Sequence, residues 1–167
     1  MINKLYLQYL LSGWLLLVCV NSMQAQEKLH IYDPSEDETT QLNFAIQKAA
    51  LAGKHVFVQV GGNWCPWCIR FHRFVHENQS IDSLMQVHYE VCLLNYSKEN
   101  KNEQLLKKYG FPQRFGFPVF LILNGKGELL HIQDSGLLEE AQGYDTRKVT
   151  AFLKNWSPPA LDPVNYP

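Results

Sequence analysis

The chain has 167 residues, 46% of them hydrophobic and 13% aromatic, with a formal net charge of −1. That length suits one domain with a substantial core. A charge so near zero argues against nucleic acid or a strongly acidic surface as the partner.

Residues 1–25 differ in character from the rest of the chain. Lys4 supplies a positive start, Leu10 to Val20 form a short apolar run broken by Ser12-Gly13, and Ser22-Met23-Gln24-Ala25 ends on a small residue. This is the pattern of a cleaved secretory signal, and the run is short for a membrane span of about 20 residues. The mature chain is expected to start near Gln26 and to hold no stable membrane span. A lipid anchor at Cys19 is disfavoured, because Val18 stands where a small residue is required. The remaining cysteines are Cys65, Cys68 and Cys92, an odd number, so they cannot all pair with one another.

Lys28-Leu29-His30-Ile31-Tyr32 alternates enough to predict a short strand. Asp33-Pro34-Ser35-Glu36 predicts a helix start, followed by an apolar stripe of Leu42, Ala45, Ile46, Ala49 and Ala50 that Gly53 stops. His55 to Val60 is an apolar, β-branched strand, and Gly61-Gly62-Asn63 is a turn. A helix follows from about Cys65 to Glu77, with Ile69, Phe71, Phe74 and Val75 close to helical spacing. Ser80 to Gln86 reads as a short helical turn, Val87 to Tyr96 as a buried strand, and Glu103 to Tyr109 as a helix ended by Gly110. Val119 to Leu123 is a strand, Asn124-Gly125 a hairpin turn, and Glu128 to Gln133 the partner strand. The last helix spans about Thr146 to Trp156. Residues 26–157 are expected to form the domain and 158–167 a loose tail. Alternating elements closed by a hairpin predict an α/β fold, a mixed sheet with helices on both faces.

The chemistry concentrates in Trp64-Cys65-Pro66-Trp67-Cys68, two thiols at the junction of a strand and a helix. A Cys-x-x-Cys pair there opens and closes a disulfide without moving the backbone. The first sulfur faces the positive end of the helix, where a thiolate is stabilised. Pro66, at the first helical position, gives up an N–H that has no partner anyway. Haem attachment is excluded on pattern, because Ile69 stands where histidine is needed. His72 and His76 offer zinc ligands beside the thiols. However, His76 lies two turns beyond Cys68, roughly 12 Å along the axis, too far for one metal. Solvent-facing histidines are the better reading, and no metal or bound cofactor is expected.

This element order, with Trp-Cys-x-x-Cys after a strand and Gly116-Phe117-Pro118 before a hairpin, resembles the thioredoxin superfamily over about Lys28 to Trp156. It is most similar to exported thioredoxin-like proteins with a helix just before the motif strand. The resemblance implies a thiol–disulfide oxidoreductase, with Cys65 as nucleophile and Cys68 resolving the mixed disulfide. It also implies a cis Pro118 beside Cys65, with the Phe117 backbone free to pair with an extended substrate segment. Trp64 and Trp67 would flank the site as an apolar surface. The implied partners are protein disulfides or dithiols and a redox protein that recycles the pair. A monomer in the bacterial cell envelope fits best, since the chain ends in no retention signal. A non-catalytic module that holds extended polypeptides is the first alternative, and a metal held by the two thiols ranks below it.

Two departures from the family stand out. A buried acid often lies six residues before the first cysteine; here that residue is Gln59, which cannot titrate. Phe111-Pro112-Gln113-Arg114-Phe115 predicts an extra loop beside the active face, where Arg114 either assists a thiolate or is simply solvated. Cys92 reads as a small core residue. Phe120 reads as core, while Phe111, Phe115 and Phe117 are open to a partner role. The triplets Asn78-Gln79-Ser80 and Asn95-Tyr96-Ser97 match the glycosylation pattern, a common chance match.

Overall fold

A computed structural model describes residues 29–166. The signal pattern, Cys19 and the predicted domain start at residue 26 lie outside the described residues. The chain adopts an α/β fold built on a mixed central sheet. Strand β1 (His55–Gly61) lies inside a mixed sheet, parallel to β2 (Tyr89–Asn95) and antiparallel to β3 (Val119–Leu123). Strand β3 pairs in turn with antiparallel β4 (Leu129–Asp134), so the order is β2-β1-β3-β4.

Side chains alternate across β1 and separate two cores. Val56, Val58 and Val60 meet Leu42, Ala45 and Ala49 of α1 (Glu38–Ala52), with Leu106 of α4 (Glu103–Lys108) in the same layer. Phe57 faces the other way. It meets Phe71 and Val75 of α2 (Pro66–Glu77), Ile81 and Met85 of α3 (Gln79–His88), and Phe152 of α5 (Thr146–Asn155). The Phe57 ring lies 5.1–6.1 Å from those of Phe71, Tyr89, Phe120 and Phe152. Truncating so enclosed a ring to alanine costs about 3–5 kcal/mol. Among the described residues no helix is long and apolar enough to cross a membrane.

Several predicted elements are corrected. Residues 29–32 form no strand. Ile31 and Tyr32 instead donate their N–H groups to the Asn63 side chain at 2.8 and 3.0 Å, and Asn63 donates back to the Tyr32 carbonyl at 2.8 Å. One amide thus takes the place of a neighbouring strand. Asp33 accepts from Ser35 in a separate turn, and Asp37 caps α1 by accepting the Thr40 N–H. The short turn predicted at Ser80–Gln86 is a full helix, because Asn78 caps it through the Ile81 N–H.

In the β3–β4 turn, Asn124 accepts the N–H groups of Lys126 and Glu128 on its side chain. The residue with positive φ is Gly127, at 76°, rather than Gly125. After β4, a 3-10 turn at Ser135–Leu138 leads to a two-residue hairpin, β5 (Glu139–Glu140) with β6 (Gly143–Tyr144). Beyond Trp156 the chain makes two 3-10 turns, Pro158–Leu161 and Pro163–Asn165.

Candidate active site

Strand β1 runs out at Gly61 and α2 begins at Pro66, so the intervening turn decides where the thiols stand. The Cys65 N–H closes that turn on the Gly62 carbonyl at 3.0 Å. Cys65 is the N-cap of α2, in extended conformation, and its Sγ accepts the Cys68 N–H at 3.1 Å. An N-cap acceptor satisfies one of the helix's unpaired donors, and a thiolate does so with charge assistance. Cys65 and Cys68 are joined as a disulfide, with Cα atoms 5.3 Å apart. Both are buried, Cys65 at 3% exposure and Cys68 at 0%.

The two tryptophans part company. Trp64 is 53% exposed, donates its indole N–H to the Tyr96 carbonyl at 2.6 Å, and meets Phe117 edge-on at 5.4 Å. Phe117 also packs on Tyr96 at 4.6 Å and against the disulfide. An apolar groove of about 470 Å³ opens here, bounded by Trp64, Tyr96, Ser97, Lys98, Glu99 and Lys101. Trp67 is half-buried between the Arg70 guanidinium, 4.4 Å over its ring, and the edge of Tyr144. The Phe117–Pro118 peptide is cis, and Pro118 is buried.

Behind the disulfide lie residues that sequence reasoning missed or undervalued. Gln59 is buried and donates its amide to the Tyr32 hydroxyl at 2.7 Å and to the Cys68 carbonyl at 3.2 Å. Tyr32, expected only as part of a strand, packs on Cys65 and Cys68 in one buried cluster. Gly61 is required for the approach: a β-carbon there would collide with Cys68 Sγ and stand 2.8 Å from the Tyr32 hydroxyl. The only sequence signal was a glycine one residue past the end of an apolar strand.

Other candidates fall elsewhere. Arg114 donates to the carbonyls of Gly110 and Phe111 and lies 4.3 Å over the Phe115 ring, so it braces its own 3-10 turn, Pro112–Phe115. His72 and His76 face each other with rings 4.4 Å apart, and His76 pairs with Asp82. Burial and then the neighbouring His76 hold the His72 imidazole below its usual range. The Cys92 thiol is pushed up to about 12, first by burial and then by Glu36 and Glu90. Asn95 is buried, whereas Asn78 caps α3.

Residues 37–125 match a thioredoxin-like family model. No curated protein matches the chain. Among solved structures, it resembles a disulphide isomerase from Xylella fastidiosa Temecula1 at 24% identity and a TM-score of 0.67, covering 76% of this chain and 96% of that one. It also resembles the oxidised C-terminal domain of DsbD from Neisseria meningitidis, at 18% identity and a TM-score of 0.48, over 70% of this chain and 95% of that one.

Proposed function

The chain belongs to the thioredoxin-like family, and on that premise we propose that it exchanges disulfides with protein substrates through Cys65 and Cys68. The observation that carries this reading is the Cys65 sulfur on the first turn of α2, accepting the Cys68 N–H. Unpaired N–H groups and the helix dipole favour the thiolate there, so reduced Cys65 is nucleophilic near neutral pH. It attacks one sulfur of a substrate disulfide, releasing the other as a thiolate and leaving a mixed disulfide. Cys68 then attacks Cys65 Sγ, which restores the Cys65–Cys68 bond and releases the second substrate sulfur. The reverse sequence delivers a disulfide to a dithiol.

The face around the pair suits an extended polypeptide. Exposed Trp64 and its neighbour Phe117 offer apolar contact, and the groove beside Tyr96 lengthens that surface. The backbone of Phe117, next to Pro118, supplies strand-like hydrogen bonds to the substrate. The signal pattern in residues 1–25 supports a role in the cell envelope, with a second redox protein to recycle the pair.

Reduction of insulin disulfides by the full mature chain tests the activity. Cys68→Ser should accumulate mixed disulfides with envelope proteins, and Cys65→Ser should accumulate none. A wild-type protein without turnover, or better trapping by Cys65→Ser, would overturn the reading.

A further inference from the structure

If Cys65 and Cys68 are the working pair, as proposed above, Cys68 must become a thiolate in a buried place, and something has to stabilise that charge. No buried carboxylate is free to do so among the described residues. Glu38 is taken by the Asn100 amide, at 2.8 and 2.9 Å, and Asp145 caps α5. Gln59 contributes an amide whose donor is already shared between the Tyr32 hydroxyl and the Cys68 carbonyl.

The Tyr32 hydroxyl is the polar group left. Tyr32 is 3% exposed and fixed by the Asn63 tether. Its oxygen accepts from Gln59, and among the described residues its own proton has no acceptor. The Tyr32 hydroxyl oxygen and Cys68 Sγ lie 2.8 and 2.3 Å from the point where a Gly61 β-carbon would stand, so both border the same small space. We propose that the Tyr32 hydroxyl donates a hydrogen bond to the Cys68 thiolate, doing through a neutral donor what a buried acid does by charge. Gln59 is then a positioning residue that turns the hydroxyl oxygen toward itself and the proton toward sulfur.

This differs from acid assistance in one respect. Burial pushes the Tyr32 hydroxyl well above its usual range, so it keeps its proton and cannot act as a base. In the resolving step the Cys68 S–H bond breaks and the Cys65–Cys68 S–S bond forms. The bond from Cys65 to substrate breaks, its electron pair goes to the substrate sulfur, and the proton reaches that sulfur through solvent. Tyr32 lowers the cost of the thiolate that exists in between.

The other titratable groups near Cys68 are accounted for. His72 lies one turn further along α2 and shares a groove with Gln59. Tyr144, from β6, donates its hydroxyl to the Trp67 carbonyl. Glu90, on β2, pairs with Lys48.

The test mixes the reduced full mature chain one to one with a dithiobis(nitrobenzoate) disulfide, which releases a coloured thiolate twice. The first phase reports attack by Cys65 and the second reports resolution by Cys68. Losing a hydrogen bond to a charged sulfur raises the midpoint of the second phase by about one pH unit. Below that midpoint the thiolate fraction falls about tenfold, but the more basic thiolate recovers about threefold in nucleophilicity, so the second phase slows about threefold. Tyr32→Phe should show both effects and leave the first phase unchanged, and His72→Gln should show neither. If Tyr32→Phe fails to fold, Gln59→Leu must slow the second phase alone. An unchanged second phase, equal slowing of both phases, or a midpoint that moves with His72→Gln overturns the proposal. A wild-type chain with no first phase overturns instead the oxidoreductase reading beneath it.

Discussion

Cys65 and Cys92 are almost equally hidden, at 3% and 2% exposure, yet their surroundings prescribe opposite chemistry. Cys92 lies in β2 opposite Val58, in a cluster with Leu94 and the β1 valines, and its thiol is pushed up to about 12. Cys65 stands at a helix start, with the Cys68 N–H already directed at its sulfur. Burial alone therefore does not set a thiol's reactivity. What matters is whether donors point at the sulfur when the charge appears.

The largest effect expected from that contrast is at Cys65. Cys65→Ser should lower insulin reduction by about 1000-fold or more, to the uncatalysed rate, since a hydroxyl does not open disulfides. Gly61→Ala comes next: its methyl group collides with Cys68 Sγ and should cost about 1–3 kcal/mol in denaturant unfolding of the oxidised protein. Trp64→Ala should lower kcat/KM for a polypeptide disulfide about fivefold through lost contact. It should leave a small aromatic disulfide nearly unaffected. If both substrates suffered alike, Trp64 would be shaping the thiol rather than receiving the substrate.

Cys92→Ala should be the mildest change, with full exchange activity and about 1 kcal/mol lost to a small cavity. It also carries a pH signature. The folded state holds this thiol protonated while the unfolded chain releases the proton from near 9.0, so the unfolded chain binds fewer protons above that pH. The contribution is whole below 9.0 and disappears as pH rises toward about 12. Unfolding curves across that range should fall less steeply for Cys92→Ala than for wild type. Loss of exchange in Cys92→Ala would break the contrast between the two thiols.

How much of this was legible depended on the range of the forces involved. Strand β3 coincides with Val119–Leu123, and α2 follows the Cys65–Glu77 reading, because an apolar run and a cap are local signals. The N-terminal strand failed for the opposite reason. The donors of Ile31 and Tyr32 find their acceptor more than thirty residues away, in a side chain that looks from sequence like an ordinary turn residue. The β5–β6 hairpin escaped because two-residue strands have no period to detect. At the site, the two thiols were plain in the sequence. The Tyr32–Gln59 contact was not, since it joins residues with no shared pattern across the floor of the fold.

The Asn63 tether gives the site a built-in spectroscopic reporter. The amides of Ile31 and Tyr32 lie in neither helix nor strand, yet both are held by one side chain beside the disulfide. Their hydrogens should exchange with heavy water far more slowly than those of an ordinary loop. That protection measures, amide by amide, how long the back wall of the site stays assembled in the oxidised and the reduced protein.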